Sequence, residues 1–184
     1  AEFITVQHVG DGKKQTDKPL YDDEINKIMS RYPNFYGVYA NDEIPKLYSK
    51  IKPKSIVSFI LNKDNSDKGG SHWVSVYIDA TDNGSHSVEY YDSFGESPTK
   101  IVLRDLKILV DLLKPNSYLK LKINRVVHQF DDTNTCGWHA LNFLIDRYRG
   151  KSFSEATGYN QDAKIKGGEA KYENKINAVK FNYI

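Results

Sequence analysis

The sequence has a single cysteine, Cys136, among its 184 residues. That excludes an internal disulfide and a zinc site built on cysteines, and it fits a reducing compartment. Any thiol chemistry in the chain therefore belongs to Cys136. Long apolar runs are missing as well: none approaches the roughly 20 residues that cross a bilayer. No signal-peptide pattern is visible, so a secreted protein is not expected. No HExxH or comparable metal-ligand spacing surrounds the five histidines, so no metal site is expected. No internal repeat is found. A net charge of +2 is too small to mark a nucleic-acid binder by itself.

The remaining composition is that of a folded domain, with 39% hydrophobic residues and 13 tyrosines. The length suits one domain over residues 1–184, with residues 1–19 and 158–184 expected to be loosely attached. Ile25, Ile28, Met29 and Tyr32 predict an amphipathic helix that Pro33 ends. Ser55 to Leu61 reads as a buried strand. His72 to Asp92 reads as a hairpin turning on Asp82, Asn83 and Gly84. Val102, Leu106, Leu109, Val110 and Leu113 predict a second helix from Pro98 to Leu113, and Tyr118 to His128 alternates as a strand. Gly137, Ala140, Leu141, Leu144, Ile145 and Tyr148 mark the apolar face of a third helix, with Asn134 or Thr135 as its N-cap. After Gly150 the periodicity fades.

A cysteine in the first turn of a helix meets unpaired amides and the positive end of the helix dipole, which favour a thiolate. A buried structural cysteine is the plain alternative. The hairpin supplies what a nucleophile would need. Folding about Asn83 brings His72 within one or two residues of facing Asp92, although they lie 20 residues apart. Side chains at that offset are about 5–8 Å apart at Cβ. A base, an orienting carboxylate and a thiol thus arrive in the order His72, Asp92, Cys136. Gln129, seven residues before Cys136, is a candidate oxyanion donor, with an ordinary loop residue as the alternative. His139 sits on the helical turn after Cys136 and is expected to pack rather than act as the base. His8, His86 and His128 show no partner pattern in the sequence. Three lysine-rich groups, Lys46 to Lys54, Lys114 to Arg125 and Lys164 to Lys180, are solvated surface or a phosphate-binding patch.

The motifs GGSHW (69–73), YYDSFG (90–95) and QFDDTNTCGW (129–138) together resemble the adenovirus-type maturation protease, adenain. Similar enzymes occur in virophages and Maverick/Polinton elements, with ubiquitin-like-protein proteases as more distant cousins. The likeness covers about Tyr21 to Tyr148. It implies an α+β fold, a mixed β-sheet packed against helices, of the adenain/ubiquitin-like-protease (papain-like) cysteine protease type, with His72 as base, Asp92 as orienting carboxylate, Cys136 as nucleophile and Gln129 in the oxyanion hole. Adenain has Glu where this chain has Asp92; the cousins have Asp. FYGVYANDEIP (35–45) is similar to the family's substrate-positioning segment, which puts Asp42 on the substrate side; the resemblance also implies that Trp73 walls the cleft where relatives accept small residues just before the cut, with Gly137 beside it on the substrate side. Trp73 has core packing as its competing role.

By the same resemblance, the expected substrates are virion or capsid precursor proteins cut after Gly-containing (Gly-Gly-type) sites. Removal of ubiquitin-like modifiers is the alternative, and a non-catalytic nucleic-acid binding module a more distant one. No cofactor is required by the sequence, although an activating peptide or DNA fits the family. Adenain's second, peptide-linking cysteine has no counterpart here, so disulfide-linked activation is excluded. A monomer without membrane contact is expected, located in the virion or inside the infected host cell. The tail segment Ile165-Lys166-Gly167-Gly168 is similar to the family's cleavage sequence, which makes self-cleavage after Gly168 an expectation to test.

Overall fold

Five strands run side by side in the order β1-β2-β3-β4-β5. The computed structural model describes residues 20–64, 72–116, 119–124, 127–128 and 135–158. The strands are β1 (Phe35–Tyr39), β2 (Ile56–Asn62), β3 (Trp73–Asp79), β4 (Ser87–Tyr91) and β5 (Lys120–Ile123). The helices are α1 (Asp22–Met29), α2 (Lys100–Leu113), α3 (Cys136–Tyr148) and α4 (Phe153–Thr157), with a short 3-10 turn at Ile44–Leu47. β1 pairs with β2 and β5 with β4 in parallel, while β3 is antiparallel to both its neighbours. The sheet is mixed, as the sequence predicts.

Period-two alternation sorts the interior strands onto two cores. Val57, Phe59, Leu61, Val74, Val76, Ile78, Val88 and Tyr90 pack with α2 and the 3-10 turn on one face. Ile60, Tyr77 and Tyr91 join α1, α3 and α4 on the other. α2 starts where Thr99 caps the amide of Val102, and its apolar residues Val102, Leu106, Leu109 and Leu113 are buried. Solvent covers its far side.

Several boundaries shift from expectation. α1 ends at Met29, one turn before Pro33. β5 ends at Ile123, well short of His128, because among the described residues it is a short edge strand paired with β4 alone. α4 carries no long apolar period and is missed by a periodicity reading. Its signal is a capping box, in which Ser152 accepts from the Glu155 amide and the Glu155 carboxylate accepts from Ser152. α3 is buried on every side from Cys136 to Asp146, not along one stripe, since the sheet, α1 and α4 enclose it. Gln129, Gly69, Gly70, Gly168 and the third lysine group lie outside the described residues. Among the described residues no helix is long and apolar enough to cross a membrane.

Candidate active site

The topology brings one end of every strand to the same place. β1, β2, β4 and β5 finish there, and antiparallel β3 begins there. The residue before β3 is His72, and the residue after β4 is Asp92. In the β3–β4 register Ser75 faces Tyr91, so position 72 extrapolates to face position 94 and Asp92 is its diagonal neighbour on the same face. His72 Nε2 lies 2.7 Å from Asp92 Oδ1. The ring of Phe94, directly opposite, stacks on the imidazole at 4.6 Å between centroids. One strand offset explains both contacts.

Cys136 opens α3 and completes the group. Its thiol is hydrogen-bonded to the imidazole of His72. Asp92 occupies Nε2, which leaves Nδ1 to face the sulfur. Cys136 keeps 8% of its surface and His72 9%, so both are buried where α3 meets the sheet, with 11% of the His72 side chain still exposed. Thr135 precedes the helix as its N-cap, and its side chain makes no capping bond to the first turn of α3.

Burial alone would strip the proton from His72, but the hydrogen bonds to Asp92 and Cys136, reinforced by their charges, outweigh it and hold the ring up to about 9. Burial pushes Asp92 the other way, towards the neutral acid. The bond to His72, the positive ring, the Phe94 amide at 2.9 Å and the charge of Lys63 prevail and hold it below the usual carboxylate range. The pair therefore rests as imidazolium and carboxylate.

Asp92 is gripped on every side. Asn124, just past β5 and fully buried, accepts its backbone N–H at 3.0 Å and donates to its carbonyl at 2.7 Å. Gly95, at φ 70°, closes a turn by donating its amide to the same carbonyl at 2.8 Å. Lys63, just past β2, places its ammonium 3.1 Å from Asp92 Oδ2. His128 is tied to the same strand end: its amide donates to the Ser93 carbonyl at 2.7 Å, and its Nδ1 lies 2.8 Å from the Tyr91 hydroxyl. A sequence reading finds none of Lys63, Asn124, Phe94 or the Tyr91–His128 pair. The signal that could have found Lys63 and Phe94 is register, since each lies opposite His72 once the strands are aligned.

The other expected residues are placed less centrally. Trp73 donates its indole N–H to the Leu20 carbonyl at 3.0 Å and packs into the α3 core while remaining half-buried. Gly137 is tight against it: a methyl group there would sit 3.3 Å from Trp73 Cδ1 and 3.0 Å from Leu20 Cβ. Asp42 is exposed on the turn after β1, which Asn41 ties to the Asp64 carbonyl at 3.0 Å, at the same end of the sheet as His72. His139 is buried, with its ring 6.4 Å from that of His128. His86 does have partners: its Nε2 lies 2.8 Å from the Thr81 carbonyl and 2.9 Å from Lys114 Nζ. Among the described residues no cluster of three or more His, Cys, Asp or Glu side chains could hold a metal ion.

Known proteins give the same picture at the level of family and fold. The family model described as the Ulp1 protease family, C-terminal catalytic domain, matches residues 24–176. A SUMO-1 cysteine protease of African swine fever virus is 30% identical over 121 residues, 64% of this chain and 44% of that protein. A thiol protease of Acanthamoeba polyphaga mimivirus is 28% identical over 161 residues, 78% of this chain and 52% of the relative. The chain thus spans about half the length of the curated relatives it matches. Among solved structures, the African swine fever virus protease superposes with a TM-score of 0.63 at 18% identity, covering 95% of this chain and 70% of that one. ChlaDub1 from Chlamydia trachomatis shares the fold at a TM-score of 0.50 and 14% identity, covering 91% of this chain and 97% of that one.

Proposed function

This chain belongs to the Ulp1 protease family and is a cysteine protease domain, and from that premise we propose that it is an adenain-like viral endopeptidase working through Cys136, His72 and Asp92. The observation that carries the assignment is the imidazole of His72, bonded at 2.7 Å to a buried carboxylate on one side and to the thiol of Cys136 on the other. A ring held in one orientation by Asp92, with Phe94 stacked on it, already carries as the imidazolium the proton that it delivers to a leaving amine. The sulfur attacks the scissile carbonyl, forming the C–S bond. The C–N bond then breaks as His72 protonates the departing nitrogen. Water, deprotonated by the same ring, hydrolyses the thioester and frees Cys136. The backbone N–H of Cys136 and the side chain of Gln129 are the oxyanion donors in this scheme.

A substrate with glycine before the scissile bond is part of this reading, with Trp73 and Gly137, which pack against each other next to Cys136 in sequence, proposed on the substrate side. Virion structural precursors are the proposed substrates, in the virion or the infected cell, and Asp42 is proposed to contact the extended chain. A second reading, removal of a ubiquitin-like modifier after Gly-Gly, is favoured by the family and by the SUMO-1 protease name of one relative. Stimulation by a peptide or by DNA belongs to the adenain-like reading and is open to direct assay. Family membership leaves a purely non-catalytic nucleic-acid module without support.

A peptide vinyl sulfone ending in glycine tests the assignment. Wild type should be labelled once, at Cys136. Cys136→Ala should not be labelled, and His72→Ala should be labelled far more slowly than wild type and should turn over substrate about 10²–10⁴-fold more slowly. Equal labelling of wild type and His72→Ala would remove the base from the scheme. Cleavage of a viral structural precursor but not of a ubiquitin-like fusion selects the first reading, and the reverse selects the second.

A further inference from the structure

We propose that Lys63 is a positioning residue of this site, a permanent cation that holds the second oxygen of Asp92 and limits how strongly that carboxylate grips His72. The proposal rests on the protease reading above and concerns a residue outside the three reacting groups. Lys63 touches both members of the pair. Its backbone N–H donates to the His72 carbonyl at 3.0 Å, continuing the β2–β3 ladder one step beyond Asn62 and Trp73. Its ammonium reaches Asp92 Oδ2 at 3.1 Å and Glu96 Oε2 at 2.5 Å.

The charge inventory says why such a cation is needed. The Asp92 side chain is fully buried. A buried carboxylate is costly unless a positive partner stays with it. His72 provides one only while it is protonated, and in the reaction it must give that proton away. At that moment Asp92 would face a neutral ring. Lys63 does not take part in proton transfer, and its bonds to Glu96 and Asp92 outweigh the effect of burial and keep it charged. It therefore stabilises the anion throughout the cycle. It also draws negative charge from Oδ1 towards Oδ2, so the imidazolium is less tightly held and is a better acid towards the leaving group.

Among the described residues the other groups around the pair are few. Cys136 faces it from α3, Glu96 from the loop after β4 through Lys63, and Tyr90 from β4, its phenol held protonated by burial far above the usual range. None of them replaces the charge of Lys63.

The test is kcat and KM on a glycine-ending peptide substrate from pH 5 to 10.5, for wild type, Lys63→Met, Lys63→Arg and Glu96→Gln, with melting curves for each. Removing the ammonium should raise the alkaline limb, which reports loss of the His72 proton, by about half a pH unit or more. In Lys63→Met kcat at neutral pH should fall about tenfold, with KM within about twofold, because the proton leaves less readily. Lys63→Arg should restore the limb. Glu96→Gln, changed at an exposed side chain, should move it down by a few tenths, since Lys63 then serves Asp92 alone. A wild-type limb and kcat in folded Lys63→Met overturns the proposal. So does a loss that tracks melting temperature alone and that Lys63→Arg fails to rescue. If Lys63→Met does not fold, an unmoved limb in Glu96→Gln overturns it. Retained activity in Cys136→Ala or His72→Ala would instead sink the protease reading itself, so the two failures are separate.

Discussion

The ring of His72 is where pH acts on this molecule. Its ordinary value is 6.5, and the bonds to Asp92 and Cys136 hold it up to about 9 against the opposing effect of burial. A folded value above the unfolded one means that the folded state binds the proton more tightly. The stability this contributes is complete below about pH 6.5 and is lost as pH rises through about 9. Melting temperature should therefore decline through that window in wild type, and His72→Gln should lack that part of the slope. A flat wild-type profile there contradicts the pairing. Asp92 has the opposite sign: its folded value is depressed, so its contribution is present above the ordinary 3.8 and disappears as pH falls below it. His72, Asp92 and Cys136 are legible in sequence because a strong turn at Asp82-Asn83-Gly84 fixes a register and a lone cysteine starts a helix. Lys63 is not, because a lysine after a strand reads as solvated surface until its partner, 29 residues on, is placed beside it.

Elements deliver these residues by ending in the right places. Lys63, Asp92 and Asn124 each follow the last residue of a strand, His72 precedes the first residue of another, and Cys136 is the first residue of α3. Strand existence is readable from alternation, but the end of a strand depends on its neighbour, and so β5 was expected to run to His128 although β4 supports it only to Ile123. The junction of α3 with the sheet yields a prediction about Gly137. A glycine in a helix is ordinarily improved by about 1 kcal/mol on replacement with alanine. Here the new methyl would meet Leu20 Cβ at 3.0 Å, and Leu20 is tied through its carbonyl to the indole of Trp73. Overpacking of this kind costs about 1–3 kcal/mol. Gly137→Ala should come out net destabilising by roughly 1 kcal/mol in denaturant unfolding and should slow turnover by shifting Cys136, its neighbour. A gain in stability at unchanged kcat would show that Leu20 yields instead.

Across the whole molecule, the sheet separates two cores, and α3 is the piece that must stay in register with it for the sulfur to meet the ring. Its far end is fastened by a buried ion pair. Arg147 Nε lies 2.7 Å from Glu89 Oε1 and Nη2 lies 3.0 Å from Oε2, with the guanidinium 4.6 Å from the Tyr77 ring centre. Glu89 is fully buried on β4 and also accepts from the Ser87 hydroxyl at 2.8 Å. Removing one partner leaves an uncompensated charge, so Arg147→Met should cost about 3–5 kcal/mol, while Arg147→Met with Glu89→Leu should recover most of it. The catalytic consequence differs from the stability one. Cys136 lies eleven residues up the same helix, roughly 16 Å away at the α-helical rise. The folded fraction of Arg147→Met should therefore keep kcat within a few-fold of wild type below its melting temperature. A large kcat loss in a variant that is still folded would mean that the ion pair sets the angle of α3, and with it the approach of the thiol to His72, rather than only securing the helix to the sheet.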